Sequence, residues 1–280
     1  MNFAIFYNPN KPQAHAIVKS ICSFLLEYNI NLYAEELIPE VNQIKLLSDI
    51  DLKKIDFSIC LGGDGSILRV VHRHLDIEAP ILGINMGSLG FLADTPLNEL
   101  FETLTDLLNG NYTVQNRMMM EGVTSKNEKS FSVNEIVVHR AQIPCLVDLA
   151  IFVDNKYLNT FSADGVIFST ATGSTAYSLS AGGPILTPEL EAFVITPISP
   201  HTITNRPLVL MPKNEIRVEY TSRYAPIEIT FDGFTRFNMS NQESLTIRRA
   251  ARQFRIVCMH RHDYFNTLRT KLHWTGKLKI

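Results

Sequence analysis

The residue best placed to do chemistry in this chain is Asp64. It lies in Ile59-Cys60-Leu61-Gly62-Gly63-Asp64-Gly65-Ser66-Ile67-Leu68-Arg69, where an apolar strand runs into a glycine turn and a helix starts at once. Gly62, Gly63 and Gly65 remove side chains where the backbone must bend or come close to a ligand. The helix behind the turn offers unpaired N–H groups and a positive dipole end, which suit a phosphate. A carboxylate repels phosphate, so a turn built only to hold an anion has no use for Asp64. The combination points to a site where a phosphate meets a hydroxyl or a metal ion.

The string fits neither of two common nucleotide fingerprints. No lysine follows the glycines, as a Walker loop needs, and G-x-G-x-x-G is missing. Taken alone it could be a tight strand–helix connection. A second glycine-rich stretch, 83–91, also follows an apolar strand, and two such stretches at strand ends of one sheet could face one cleft. A third, 162–184, is dense in Ser and Thr and contains Thr172, Gly173, Thr175, Tyr177 and Ser178. Its hydroxyls could serve ribose and base edges, and Tyr177 could stack. Asn134 and Glu135 interrupt an apolar strand expected over 131–138, where one of the pair should point inward and need a partner. Asp232-Gly233 reads as a hairpin turn. His72 and His74, two apart on a helix, face different ways, while His260 and His262 could share a strand face.

These segments need a frame to position them. The first 115 residues or so alternate between periods: strands at 3–7, 31–33, 57–61 and 81–84, helices at 14–27, 66–74 and 97–108. That predicts a mostly parallel α/β sheet with helices, whose ligands sit beyond the carboxyl ends of the strands. From 116 on, short strands follow at 131–138, 147–153, 166–169, 214–220, 227–231 and 243–249, a β-rich, sandwich-like second domain spanning 116–261. The tail 264–274 is helical in pattern, and 262–280 is expected to pack back on the 1–115 domain.

The 280 residues carry 26 basic and 28 acidic side chains, a formal net charge of −2, which argues against charge-driven nucleic-acid binding. The four cysteines are scattered, with no C-x-x-C pair to suggest a zinc site. No apolar run approaches the ~18–20 residues that span a bilayer, and 1–7 has no signal-peptide character, so no membrane is expected and the cytoplasm is the simplest location.

Taken together, the segments resemble the bacterial ATP-dependent NAD kinase family. The resemblance runs through Gly62-Gly63-Asp64-Gly65, Gly87-Ser88-Leu89-Gly90-Phe91, Asn134-Glu135, Asp164-Gly165, Thr172 to Ser178 and Gly182-Gly183-Pro184. It continues through Pro200-His201-Thr202 and Arg206-Pro207-Leu208, and Tyr264 to Leu268 is similar to proteobacterial members. A G-G-D-G turn alone is shared with lipid kinases and phosphofructokinases; the ordered set is far more specific. The resemblance implies an N-terminal α/β domain, a β-rich C-terminal domain, a cleft between them, and transfer of the ATP γ-phosphate to the 2′-hydroxyl of the NAD adenosine ribose. It implies a divalent cation such as Mg²⁺, held mainly by the ATP phosphates, and a homodimer or homotetramer.

By the same resemblance Asp64 is the catalytic aspartate, with Gly62, Gly63, Gly65, Ser66 and Arg69 toward the ATP phosphates. The NAD contacts it implies are Asp64, Gly65, Phe91, Asn134, Glu135, Asp164, Thr172, Thr175, Ala176, Tyr177, Ser178, Leu179, Ser180 and Ser199. Ser162 stands where proteobacterial members often carry arginine, close to Asp164. A lipid or sugar kinase built on the same turn and a non-catalytic dinucleotide sensor are the competing readings.

Overall fold

The computed structural model describes residues 1–142, 144–222, 226–274 and 276. Strands and helices follow in the order β1 (Asn2–Tyr7), α1 (Pro12–Glu27), β2 (Asn31–Ala34), β3 (Ile44–Leu46), β4 (Phe57–Leu61), α2 (Asp64–Arg73), β5 (Ile81–Asn85), β6 (Thr95–Pro96) and α3 (Leu100–Asn109). The long strand β7 (Tyr112–Thr124) leads into β8 (Lys129–Ser132), β9 (Glu135–His139), β10 (Val147–Val153), β11 (Lys156–Ala163), β12 (Gly165–Ser169), α4 (Tyr177–Ser180), β13 (Phe193–Ile198) and β14 (Leu208–Leu210). Next come β15 (Ile216–Tyr220), β16 (Ile227–Phe231), β17 (Thr235–Met239), β18 (Ser244–Met259) and α5 (Tyr264–Lys271). The chain divides into two compact units, one of Met1–Gln115 with the segment from Arg255 onward, the other Asn116–Phe254. The expected docking of 262–280 includes residues 275 and 277–280, which lie outside the described residues.

The first unit is built on parallel strands in the order β5-β4-β1-β2-β3. These strands read as nearly unbroken apolar runs, as strands covered on both faces must. Pro12 opens α1, where a missing N–H costs nothing. Val18, Ile21, Cys22 and Leu25 then recur at helical spacing and are fully buried against Phe3, Ile5 and Leu32. α3 ends on Gly110, whose φ of 78° is left-handed and lets its amide turn back onto the last carbonyls. The helix expected over 97–108 starts as a 3₁₀ turn, Leu97–Glu99, before α3 proper.

The second unit packs two antiparallel layers. One has the order β14-β13-β12-β9-β16-β17, the other β11-β10-β15-β18. Alternate residues of both layers, among them Leu149, Ile151, Val166, Phe168, Ile216, Val218, Ile229 and Phe231, share one buried core, as the period of two requires.

Two strand expectations need correction. The strand expected over 131–138 is broken into β8 and β9 around Val133 and Asn134. The Asp232 carboxylate accepts the amides of Val133, Asn134 and Glu135 at 2.7, 2.9 and 2.9 Å, and β9 starts only at Glu135. The strand expected over 243–249 runs on to Met259, with Ile256 paired in parallel to Ile81. His260 and His262 therefore lie past the end of β18 and share no strand face.

Candidate functional site

In the first unit β4 delivers the glycine turn and β5, its parallel neighbour, delivers the second glycine-rich stretch. The two stretches meet through Asp64. This residue opens α2, where its charge suits the helix dipole. Its Oδ1 accepts the amides of Leu92 and Ala93 at 3.0 and 2.9 Å, and its Oδ2 accepts that of Phe91 at 2.9 Å. A carboxylate has about four acceptor positions, so one remains, on Oδ2. Gly90 supports this arrangement sterically: a Cβ there would collide with Asp64 Oδ1.

The glycines of the turn act through space rather than through unusual dihedrals. None of Gly62, Gly63 and Gly65 has a positive φ, so the bend itself does not demand glycine. A Cβ on Gly62 would collide with the Ser66 side chain, whereas Gly63 and Gly65 are exposed beside open space. The Gly62 amide is spent on the Ile84 carbonyl at 2.9 Å and the Ser66 amide on that of Gly63 at 2.9 Å. Gly63 and Gly65 stand where helix amides lack intrahelical partners.

A cavity of about 260 Å³ lies beyond the carboxyl ends of β1 and β4, lined among others by Asn8, Asn10, Glu36, Ser66, Arg69 and Arg73. This is where ligands of parallel α/β sheets bind. Arg73 is paired with Glu35 at 3.5 Å, and Glu35 also meets His74 at 2.9 Å. Burial pushes the Cys60 thiol up to about 12, against the pull of Arg69, so the cysteine in this wall is no nucleophile at neutral pH.

In the second unit a cavity of about 400 Å³ is lined by Glu135, His139, Arg140, Asp164, Tyr177 and Asp232, among others. Glu135 is its most perturbed group. Burial, and then the charge of Asp232, push its carboxyl up to about 8, while the Tyr177 amide pulls the other way. Its Oε2 is buried with no hydrogen-bond partner among the described residues. Arg140 Nε stands 2.6 Å from Asp164 Oδ1, so a cation reaches Asp164 from the end of β9. Ser162 instead hydrogen-bonds Asp148.

Several hydroxyls of the Ser- and Thr-rich stretch are turned inward, while others keep surface. Thr170 Oγ1 donates to the Val133 carbonyl at 2.7 Å and accepts the Gly173 amide at 3.1 Å. Ser174 closes onto Ala171 and Leu186, and Ser178 onto Thr196 at 2.9 Å. Thr172 is buried too. Gly173 is pressed against the Asn134 backbone, where any Cβ would collide. Thr175, Ala176, Tyr177, Leu179 and Ser180 keep surface, Tyr177 being 46% exposed. Ser199, exposed at a φ of 45°, follows β13.

Sequence reading placed none of Asn8, Asn10, Arg140 and Asp232 in a site, and took Asp232 only for part of a hairpin turn. Asp232 is 97 to 99 residues from the amides it holds, a pairing that no local pattern announces.

Comparison with known proteins finds matches along nearly the whole chain. Residues 3–112 match the ATP-NAD kinase N-terminal domain model and residues 133–259 the ATP-NAD kinase C-terminal domain model. The chain is 56% identical over 277 residues to an NAD kinase of Protochlamydia amoebophila, covering 99% of each. It is 38% identical to an NAD kinase of Geotalea daltonii, covering 97% of this chain and 98% of the relative. In fold it is similar to yeast NADH kinase complexed with NADH (TM-score 0.87, 24% identity, 100% of this chain and 89% of that one). It is also similar to an NAD kinase from Archaeoglobus fulgidus in complex with ATP (TM-score 0.77, 24% identity, 99% and 100%).

Proposed function

This chain belongs to the ATP–NAD kinase family, and from that premise we propose which of its residues carry the phosphotransfer. The reaction moves the γ-phosphate of ATP to the 2′-hydroxyl of the NAD adenosine ribose and yields NADP and ADP. A bond forms between the 2′-oxygen and the γ-phosphorus, the bond from that phosphorus to the β,γ-bridging oxygen breaks, and the hydroxyl proton must leave.

Asp64 takes that proton. The observation that carries this role is its hydrogen bonding: three amides fix the carboxylate and leave one acceptor position on Oδ2. That position receives the 2′-hydroxyl and aligns it. Phosphoryl transfer has a loose transition state with little early demand for deprotonation, so a carboxylate suffices as a late acceptor. The amides of Gly63 and Gly65, the Ser66 hydroxyl and the Arg69 guanidinium hold the triphosphate, with the cavity beyond β1 and β4 for the rest of ATP. Gly62 contributes by leaving room for Ser66.

The NAD contacts centre on Glu135, Asn134, Asp164 and Tyr177. A Glu135 that keeps its proton at neutral pH can donate to a ribose oxygen, which would give its unpartnered Oε2 a purpose. Among the described residues no group of three His, Cys, Asp or Glu side chains converges to hold a metal ion. The Mg²⁺ implied by the resemblance would sit on the ATP phosphates, where it would lower their charge. The same reading carries a homodimer or homotetramer in the cytoplasm. No helix among the described residues is long and apolar enough to cross a membrane.

The test is NADP formation from ATP and NAD by the wild type and Asp64→Asn, with circular dichroism as a check on folding. Loss of the acceptor is expected to lower kcat by roughly 10²-fold or more. A folded variant with near-normal turnover would remove Asp64 from the reaction.

A further inference from the structure

The loop that holds Asp64 is itself held from its other side. Its amides, from Phe91 to Ala93, point at the Asp64 carboxylate. Its side chains meet the segment after β18. The Phe91 ring lies 6.2 Å from that of Tyr264 and 5.9 Å from Lys271 Nζ, both on α5. The next anchor is Asp94, whose Oδ2 is 3.4 Å from His262 Nδ1, an ion-pair distance too long for a full hydrogen bond. His262 Nε2 lies 2.9 Å from Glu99 Oε2, in the turn that leads into α3. The largely buried imidazole thus bridges two carboxylates on two segments. Arg261, its neighbour, is already committed to Glu99, Glu102 and Asp106, so it cannot replace His262 at Asp94.

We propose that His262 is a positioning residue for the phosphotransfer: by bridging Asp94 and Glu99 it sets the Phe91–Ala93 amides, and through them the orientation of the Asp64 carboxylate. This rests on the reading of Asp64 as the proton acceptor. The bridge requires the imidazolium, because only a doubly protonated ring can donate to Glu99 and still face Asp94 with a charged N–H. Asp94 foremost, and Glu99 with it, raise the His262 pKa above the ordinary histidine value, against burial. The other charged groups around the ring are Arg261 with its three acids, and Asp263 with Arg269 at 3.9 Å. The bridge is intact at low pH and opens as pH rises through that raised value.

The experiment compares wild type, His262→Gln and His262→Lys in the full chain, by steady-state kinetics and amide hydrogen exchange on both sides of pH ~6.5. Wild-type kcat should fall along a one-proton limb with its midpoint above that value. His262→Gln should lack the limb and run roughly tenfold slower at low pH, with KM for ATP and NAD changed by less than about twofold. Its amides at Phe91, Leu92 and Ala93 should exchange faster. His262→Lys, a permanent cation, should recover most of kcat and also lose the limb. Wild-type kinetics or unchanged exchange in His262→Gln would overturn the proposal. If that variant does not fold, Asp94→Asn decides the matter, since removing the facing charge must move the limb to lower pH, and an unmoved limb overturns it. Exchange at the three amides judges His262 whatever the role of Asp64, and Asp64→Asn turnover judges Asp64 alone, so the two failures are separable.

Discussion

Glu135 gives its backbone amide to the Asp232 carboxylate at 2.9 Å while that same carboxylate repels its side chain. The contact has two effects. It breaks the strand between β8 and β9, exposing the Asn134 carbonyl to close packing with Gly173. It also helps push the Glu135 carboxyl up to about 8, second to burial.

The shift has a definite sign. An acid whose folded pKa is raised binds its proton more tightly in the folded state. The stability this contributes is complete below the ordinary value of 4.5 and is lost as pH rises toward about 8. Each unit of that window carries up to about 1.4 kcal/mol. The wild type should therefore lose melting temperature across the window, by more than about 1 kcal/mol in stability at its end. Glu135→Gln, which cannot ionise, should lack this loss and be the more stable protein near pH 8. Parallel melting curves for the two proteins would refute a raised Glu135.

How far the sequence foretold this is clear from particular residues. The parallel frame was legible because β1, β4 and β5 are apolar runs closed by glycine or polar turns, and because α1 and α3 repeat at helical spacing. Asp64 was legible because a carboxylate in a phosphate-like turn contradicts its surroundings. What it holds was not: the Phe91, Leu92 and Ala93 amides are 27 to 29 residues away, and backbone donors leave no residue-type signature. The inward partners of the hydroxyl-rich stretch were hidden for a related reason. Ser and Thr satisfy buried backbone as readily as they meet ligands; Thr170 and Ser174 do the former, and Ser178 meets the Thr196 hydroxyl.

Gly90 gives a local test of the Asp64 arrangement. A methyl group there would collide with Asp64 Oδ1 and come within 3.0 Å of the Ala93 carbonyl. Gly90→Ala should displace the carboxylate from its amides and cut kcat roughly tenfold or more, since small misplacements of reacting groups cost about that. Gly87→Ala, three residues earlier with nothing within 4 Å, should leave kcat close to wild type. Equal effects at the two positions would mean that the loop tolerates no side chain anywhere, and that Asp64 is not the reason.

Arg69 separates the two substrates. It is exposed on α2 and lines the cavity beyond β1 and β4, and it follows Asp64 and Ser66 by five and three residues. Positions three apart share a helix face, so Arg69 stands over Ser66 and its guanidinium can meet the phosphates that Ser66 meets. Charge-assisted bonds to phosphate are about twice as strong as neutral ones, and the planar fork of arginine makes two at once. Arg69→Ala should raise KM for ATP roughly tenfold, the loss of one such contact, and leave KM for NAD unchanged. Arg69→Lys should fall between, keeping the charge without the fork. Initial rates measured by varying each substrate at saturating levels of the other give both constants. An effect on NAD alone would put Arg69 at the acceptor rather than the donor.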